Sequence, residues 1–236
     1  MSAQAVAVLA LVVAAAAFVQ GVSGLGFALV VAPVAGLLEP ALLPVFVLAS
    51  MIPLNVYVAW RERRSLDLRG AGWITAARLA ATPGGLLLLW AVPEQRLGVV
   101  VGVATVLAAA VSLAAPAFVP GRAAYLGAGL VTGLTETATG VGGPPLALVY
   151  QHRPPAELRS TVALCFLVGE VVSLALLLGT GRGTPAQLGW AVLVLPALAL
   201  GAWLSRLAHH RVDAARMRPL VLGFALVSGV VLILAP

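Results

Sequence analysis

Glu136 and three threonines, Thr135, Thr137 and Thr139, crowd into GLTETATGVGG (residues 133–143), between stretches whose composition suits lipid rather than water. A carboxyl at membrane depth is costly to ionise, and such groups commonly face a cavity, where they relay protons or bind cations. The plainer reading is a Glu136 near the interface that caps a half-helix. Two more ionisable side chains share the apolar setting, Glu170 in FLVGEVVS and Arg78 in WITAARLAATPGG. Arg78 offers forked donors to a tetrahedral oxyanion. It equally suits a salt bridge with Glu170 that ties helices together, or snorkelling to the interface. Gln20, Ser23, Asn55, Thr135, Thr137 and Thr139 are neutral donors fit for an anion cavity, although hydroxyls in membrane helices also bond back to their own helix's carbonyls.

These residues need a frame that holds them inside a bilayer. Of 236 residues, 61% are hydrophobic and 9% charged, against roughly a quarter charged in soluble domains. Apolar runs of the roughly 20 residues that a spanning helix needs recur throughout, without the alternation of barrel strands. The fold is therefore an all-α polytopic membrane protein. Uninterrupted spans are predicted at 41–60, 71–92, 97–118, 157–179, 186–206 and 216–235, and two further apolar regions, 4–38 and 123–150, are broken by glycines. The breaks, QGVSGLGF (20–27) and GLTETATGVGG, recur at a spacing of about 115 residues. Superposed, Gln20 falls on Glu136, Ser23 on Thr139, Gly24 on Gly140 and Gly26 on Gly142; with a one-residue slip, Asn55 falls on Glu170. The chain reads as two copies, 1–120 and 121–236, each a broken element followed by three spans, and paired interrupted segments mark a secondary transporter.

Arginine placement decides how the breaks run. All fourteen basic residues are Arg. If each broken element crosses once, the loops on the two sides hold six and seven arginines, which is no bias. If each is a re-entrant hairpin, one side collects Arg61, Arg63, Arg64, Arg69, Arg122, Arg153, Arg159, Arg206, Arg211, Arg216 and Arg218, and the other only Arg96 and Arg182. That split obeys the positive-inside rule. Three crossings per copy then make the copies inverted, with both termini outside the cytoplasm. Half-helices starting near Gly26 and Gly142 would aim N–H groups and positive dipole ends at the centre, and Pro144 and Pro145 suit a first turn.

The remaining features have ordinary explanations. All the arginines but Arg78 lie between spans, so the net charge of +6 reflects topology rather than nucleic-acid binding. The lone Cys165 is a small apolar filler and provides neither disulfide nor metal cluster, and the N-terminus lacks a positive n-region. GVVVG (98–102) and GLVTG (129–133) have helix-packing spacing. His152, His209, His210, Asp67 and Asp213 fall in basic loops. With every His in a loop, serine hydrolysis inside the membrane lacks its base. No cofactor is called for.

FVQGVSGLGFALVVAPVAGLL and GLVTGLTETATGVGGPPLALVY resemble the paired glycine-rich signatures of the TauE/SafE family of sulfite and organosulfur anion exporters, and WRERRSLDLRG is similar to that family's basic loop. The resemblance covers essentially the whole chain. It implies a permease of the bacterial inner membrane that moves sulfite, sulfoacetate or a related C2 sulfonate, coupled to protons or alternatively to sodium, and it admits a homodimer. The expected anion site lies between the breaks, at Gln20, Ser23, Gly24, Gly26, Asn55, Arg78, Thr137, Thr139, Gly140 and Gly142, with Glu136 and Glu170 as coupling carboxyls. A passive anion channel and, more remotely, an intramembrane enzyme are the competing classes.

Overall fold

The computed structural model describes residues 1–114, 118–151, 153–208 and 214–235, and among these every regular element is a helix. Helices α1 (Ala3–Ser23) and α2 (Phe27–Leu38) precede α3 (Val45–Arg61), α4 (Leu68–Ala91) and α5 (Leu97–Ala114). Helices α6 (Arg122–Thr139) and α7 (Gly143–Tyr150) precede α8 (Pro155–Gly179), the pair α9 (Pro185–Leu193) and α10 (Leu195–Ala208), and α11 (Ala214–Leu234). Among the described residues α1, α4, α5 and α8 are each long and apolar enough to cross a bilayer, and α9 with α10 makes a fifth such length, bent by 45°. The protein is an all-helical polytopic membrane protein. The straight span expected at 186–206 is corrected by that bend. Pro196 has no N–H to give the carbonyl of Val192, and its ring crowds that carbonyl, so the helix breaks at Val194.

Both glycine breaks are three-residue links built alike. Each first arm ends on a left-handed glycine, Gly24 (φ 84°) and Gly140 (φ 79°), whose N–H donates to Gln20 O and Glu136 O, both at 2.7 Å. Side chains disfavour that backbone region, which is why glycine stands there. Ser23 Oγ then accepts from the Leu25 N–H at 3.3 Å, and Thr139 Oγ1 from the Val141 N–H at 3.2 Å. After each link the second arm packs against the first, α2 on α1 and α7 on α6.

Packing repeats between the halves. The first arm α6 lies on α4, as α1 lies on α10; α7 meets α5, as α2 meets α11. Glycines at 129 and 133 press α6 directly on the carbonyls of Ile74 and Arg78 in α4, and Gly102 meets the Gly229 carbonyl across α5 and α11. Both spaced-glycine motifs are thus packing seams. At the centre α3 and α8 run antiparallel, with Glu62 beside Arg159, Asn55 on Glu170, and Val45 clustered with Leu177.

Loop charges gather at the ends of the bundle. At one end of the bundle Arg159 grips both oxygens of Glu62 at 2.8–3.0 Å, Arg61 bonds the same carboxylate at 3.0 Å, and Asp67 accepts from Tyr150 at 2.9 Å. Arg122 stacks 3.7 Å over the Trp73 ring there, and Arg153 bonds Tyr125, a contact that raises the guanidinium's pKa. Arg182 instead reaches the Trp90 carbonyl, in the last turn of α4, at 3.4 Å. His152, His209, His210, Arg211 and Asp213 lie outside the described residues, as do the side chains of Arg216 and Arg218.

Candidate functional site

The site begins in the last turn of α1, where Gln20 is turned inward and fully enclosed. Its Oε1 accepts the Phe27 N–H at 3.1 Å, satisfying one of the donors that the start of α2 leaves open. Its Nε2 donates to Asn55 Oδ1 at 2.9 Å, and Asn55 Nδ2 donates to Glu170 Oε1 at 2.8 Å. One chain of hydrogen bonds therefore links the first hairpin, α3 and α8.

Arg78 enters from α4 with no solvent exposure, so it does not snorkel. Its Nη1 donates to Cys165 O at 2.7 Å, and the guanidinium lies 5.4 Å from the Phe166 ring. Gly169 leaves the space it occupies, since any Cβ there would collide with the guanidinium. The salt bridge expected between Arg78 and Glu170 is corrected: Arg78 Nη2 lies 2.6 Å from Glu136 Oε2. The helix seam explains this choice, because Gly133 brings α6 against the Arg78 backbone and so sets Glu136, one turn on, within reach. The contact is close but not aligned as a hydrogen bond. Both oxygens of Glu136, Nε and Nη2 of Arg78, and Glu170 Oε2 are buried without a hydrogen-bond partner. Glu170 also lies within electrostatic reach of Arg78 and Glu136.

Thr137 joins the cluster through a 2.8 Å bond to Ser173. Ser173 and Thr132, whose hydroxyl donates to Gly142 O at 3.1 Å, were not singled out in the sequence. Helical spacing from Glu170 and Glu136 was the available signal, since residues three and four apart share a face. The structure does not bring Thr139 and Gly140 to this cluster. Thr139 bonds the Thr135 carbonyl, and a side chain at Gly140 would meet Val47 and the Pro44 carbonyl at the start of α3. Their place in the turn uses them as a cap and a reversal.

A cavity of about 380 Å³ lies between the hairpins, lined by Ser23, Leu25 and Gly26 from one and by Gly143 and Pro144 from the other, with Arg153 among its lining. Its volume sits at the small end of ligand pockets. Gly142 separates it from the charged cluster: a Cβ there would stand 2.6 Å from Glu136 Oε2, while the neighbouring Gly143 lines the cavity. Gly24 lies just outside, where its missing side chain admits Arg159. Arg159 and Arg61 donate to the carbonyls of Val22 and Gly21 at 3.2 and 2.9 Å, capping the end of α1.

Glycine-broken helical hairpins around a small cavity, with buried charge behind it, define a transporter of the membrane interior. The chain belongs to the family described as sulfite exporter TauE/SafE, whose model matches residues 9–232. No curated protein and no solved structure matches it. The family makes the protein a membrane exporter of sulfite or sulfur-containing anions.

Proposed function

We propose that this protein is a secondary transporter of sulfite, sulfoacetate or a related C2 sulfonate, built as two inverted copies that give alternating access and coupled to protons in the bacterial inner membrane, with both termini outside the cytoplasm. The observation that carries the reading is the single glycine between cavity and carboxylate. An anion in the cavity is one backbone thickness from Glu136 and its guanidinium partner. The anion can exchange with Glu136 for Arg78, whose forked donors suit a tetrahedral oxyanion. A carboxylate displaced from arginine in an apolar interior takes up a proton, because two negative charges there repel. Anion and proton then bind together, which is the thermodynamic condition for symport.

A proton fits better than sodium as the coupling ion, since the Arg78 charge repels a metal cation from the same carboxyls. The nearly enclosed cluster favours a carrier over a passive channel. The test is radiolabelled sulfite, sulfoacetate and taurine flux in proteoliposomes, with and without a pH gradient. Saturable counter-exchange accelerated by the gradient is expected. Ohmic, unsaturable flux would replace the carrier with a channel.

A further inference from the structure

The buried charges do not balance. Arg78, Glu136 and Glu170 all have no solvent exposure, so full ionisation leaves one uncompensated negative charge inside the bundle. An ion buried without compensation costs several kcal/mol. The hydrogen bonds indicate which carboxyl is neutral. The Phe27 N–H can only donate, so Gln20 must turn its oxygen to it and its NH2 group to Asn55. Asn55 must then accept on its oxygen and present its own NH2 group to Glu170. Each link fixes the next, so Glu170 Oε1 is an acceptor. Its Oε2 remains, buried and without a partner, within electrostatic reach of Glu136, whose two oxygens also have no aligned hydrogen bond. Glu136 has the guanidinium at 2.6 Å; Glu170 has only a neutral amide.

The other half of the molecule contains the same pair in amide form. Gln20 and Asn55, which superpose on Glu136 and Glu170 at the repeat spacing, are joined by one N–H donor. For the acid pair to be joined likewise, one member must supply a single O–H.

We infer that Glu170 is a resident neutral acid that carries its proton on Oε2 and donates it to Glu136, so that Glu136 alone titrates during transport. This inference rests on the proposed proton-coupled reading and makes it specific. Arg78⁺, Glu136⁻ and neutral Glu170 sum to zero. An arriving monoanion adds one negative charge, Glu136 takes up one proton, and the sum is zero again, giving one proton per monoanion. Among the described residues, the charged or titratable groups around Glu170 are Arg78 from α4, Glu136 from α6 and Cys165 on its own helix; α3 and α1 present the neutral Asn55 and Gln20. Glu170 is thus a positioning residue, and glutamine should replace it, because an amide offers the same acceptor to Asn55 and a donor to Glu136.

The test is infrared spectroscopy on the purified full chain in detergent, together with sulfite counter-exchange in proteoliposomes. A protonated carboxylic acid band is expected in the parent through neutral and mildly alkaline pH and lost in Glu170→Gln. Glu170→Gln should keep parent-like exchange and its acceleration by a pH gradient, whereas Glu136→Gln should lose the acceleration. Persistence of the band in Glu170→Gln, its absence from the parent, or loss of gradient drive in Glu170→Gln overturns the inference. Failure of Glu170→Gln to fold also overturns it, since the amide must substitute for the acid. If the parent exchanges no sulfite, the transport reading fails while the infrared result still decides the state of Glu170.

Discussion

Replacing Arg78 with methionine should destabilise the protein far more than replacing either of its acidic neighbours. One guanidinium serves two carboxyls, being 2.6 Å from Glu136 and within the field of Glu170. Arg78→Met leaves Glu136 buried with no counter-charge, and removing one partner of a buried pair costs about 3–5 kcal/mol. It also strands the Cys165 carbonyl, which now accepts at 2.7 Å. Glu136→Gln, by contrast, leaves an arginine with Glu170 still nearby and an amide oxygen facing it. Its cost should be close to that of one charge-assisted hydrogen bond, about 1.5–3 kcal/mol. Arg78→Met combined with Glu136→Leu should recover most of the lost stability, because apolar replacement of a whole buried pair is often neutral or better. Thermal or SDS unfolding of the purified protein measures stability, and sulfite exchange in vesicles measures function. The double variant should be stable and inactive. Equal losses for Arg78→Met and Glu136→Gln, or a double variant no more stable than Arg78→Met, would refute a guanidinium shared between two acids.

Cysteines placed at 66 and 154 should both resist membrane-impermeant labelling from outside the cell, while one at 183 should react; labelling from outside at 154 but not at 66 would restore straight crossings. Native Cys165 is fully buried and should not interfere. Gly26→Leu and Gly142→Leu should each abolish sulfite exchange in protein that still inserts, the first by straining a backbone at φ 114° and the second by driving a side chain into the Glu136 carboxylate. Unchanged flux in both would remove the site from between the hairpins. Gly133→Val should cost about 1–3 kcal/mol in an unfolding assay by overpacking the seam against the Arg78 carbonyl, and an unaltered midpoint would show that the seam yields.

The helices and their breaks were legible because composition and glycine spacing are local signals. Arginine counting favours hairpins over crossings, a global property, because lipid punishes misplaced loop charge. The partner of Arg78 was not legible. Glu170 and Glu136 are equally plausible from sequence, and the choice depends on how closely α6 approaches α4, which two glycines set. The bend at Val194 had a local cause in Pro196, but hydropathy averages over a single proline. Thr139 and Gly140 were expected in the anion site from superposition on Ser23 and Gly24. Repeat spacing reports equivalence between two positions, and says nothing of which side of a hairpin faces the cavity.

Helices α4 and α6 touch backbone to backbone at Gly129 and Gly133, with only the methyls of Ala77 and Ala81 beside the contact. Such a joint does not slide in small steps, because an offset drives a Cα into a carbonyl. Arg78 and Glu136 are therefore mounted on one rigid block and travel together, whatever the rest of the bundle does. Glu170 rides on α8, held through Asn55 to α3 and through Gln20 to the first hairpin. Movement between these bodies passes through the gap between Glu136 and Glu170, where the unpartnered oxygens lie. The charge-bearing machinery is insulated from the cavity lining contributed by α5 and α11. Substitutions there can retune which anion fits without disturbing the arginine or its carboxylates, so cargo and coupling are separable traits on which selection can act independently.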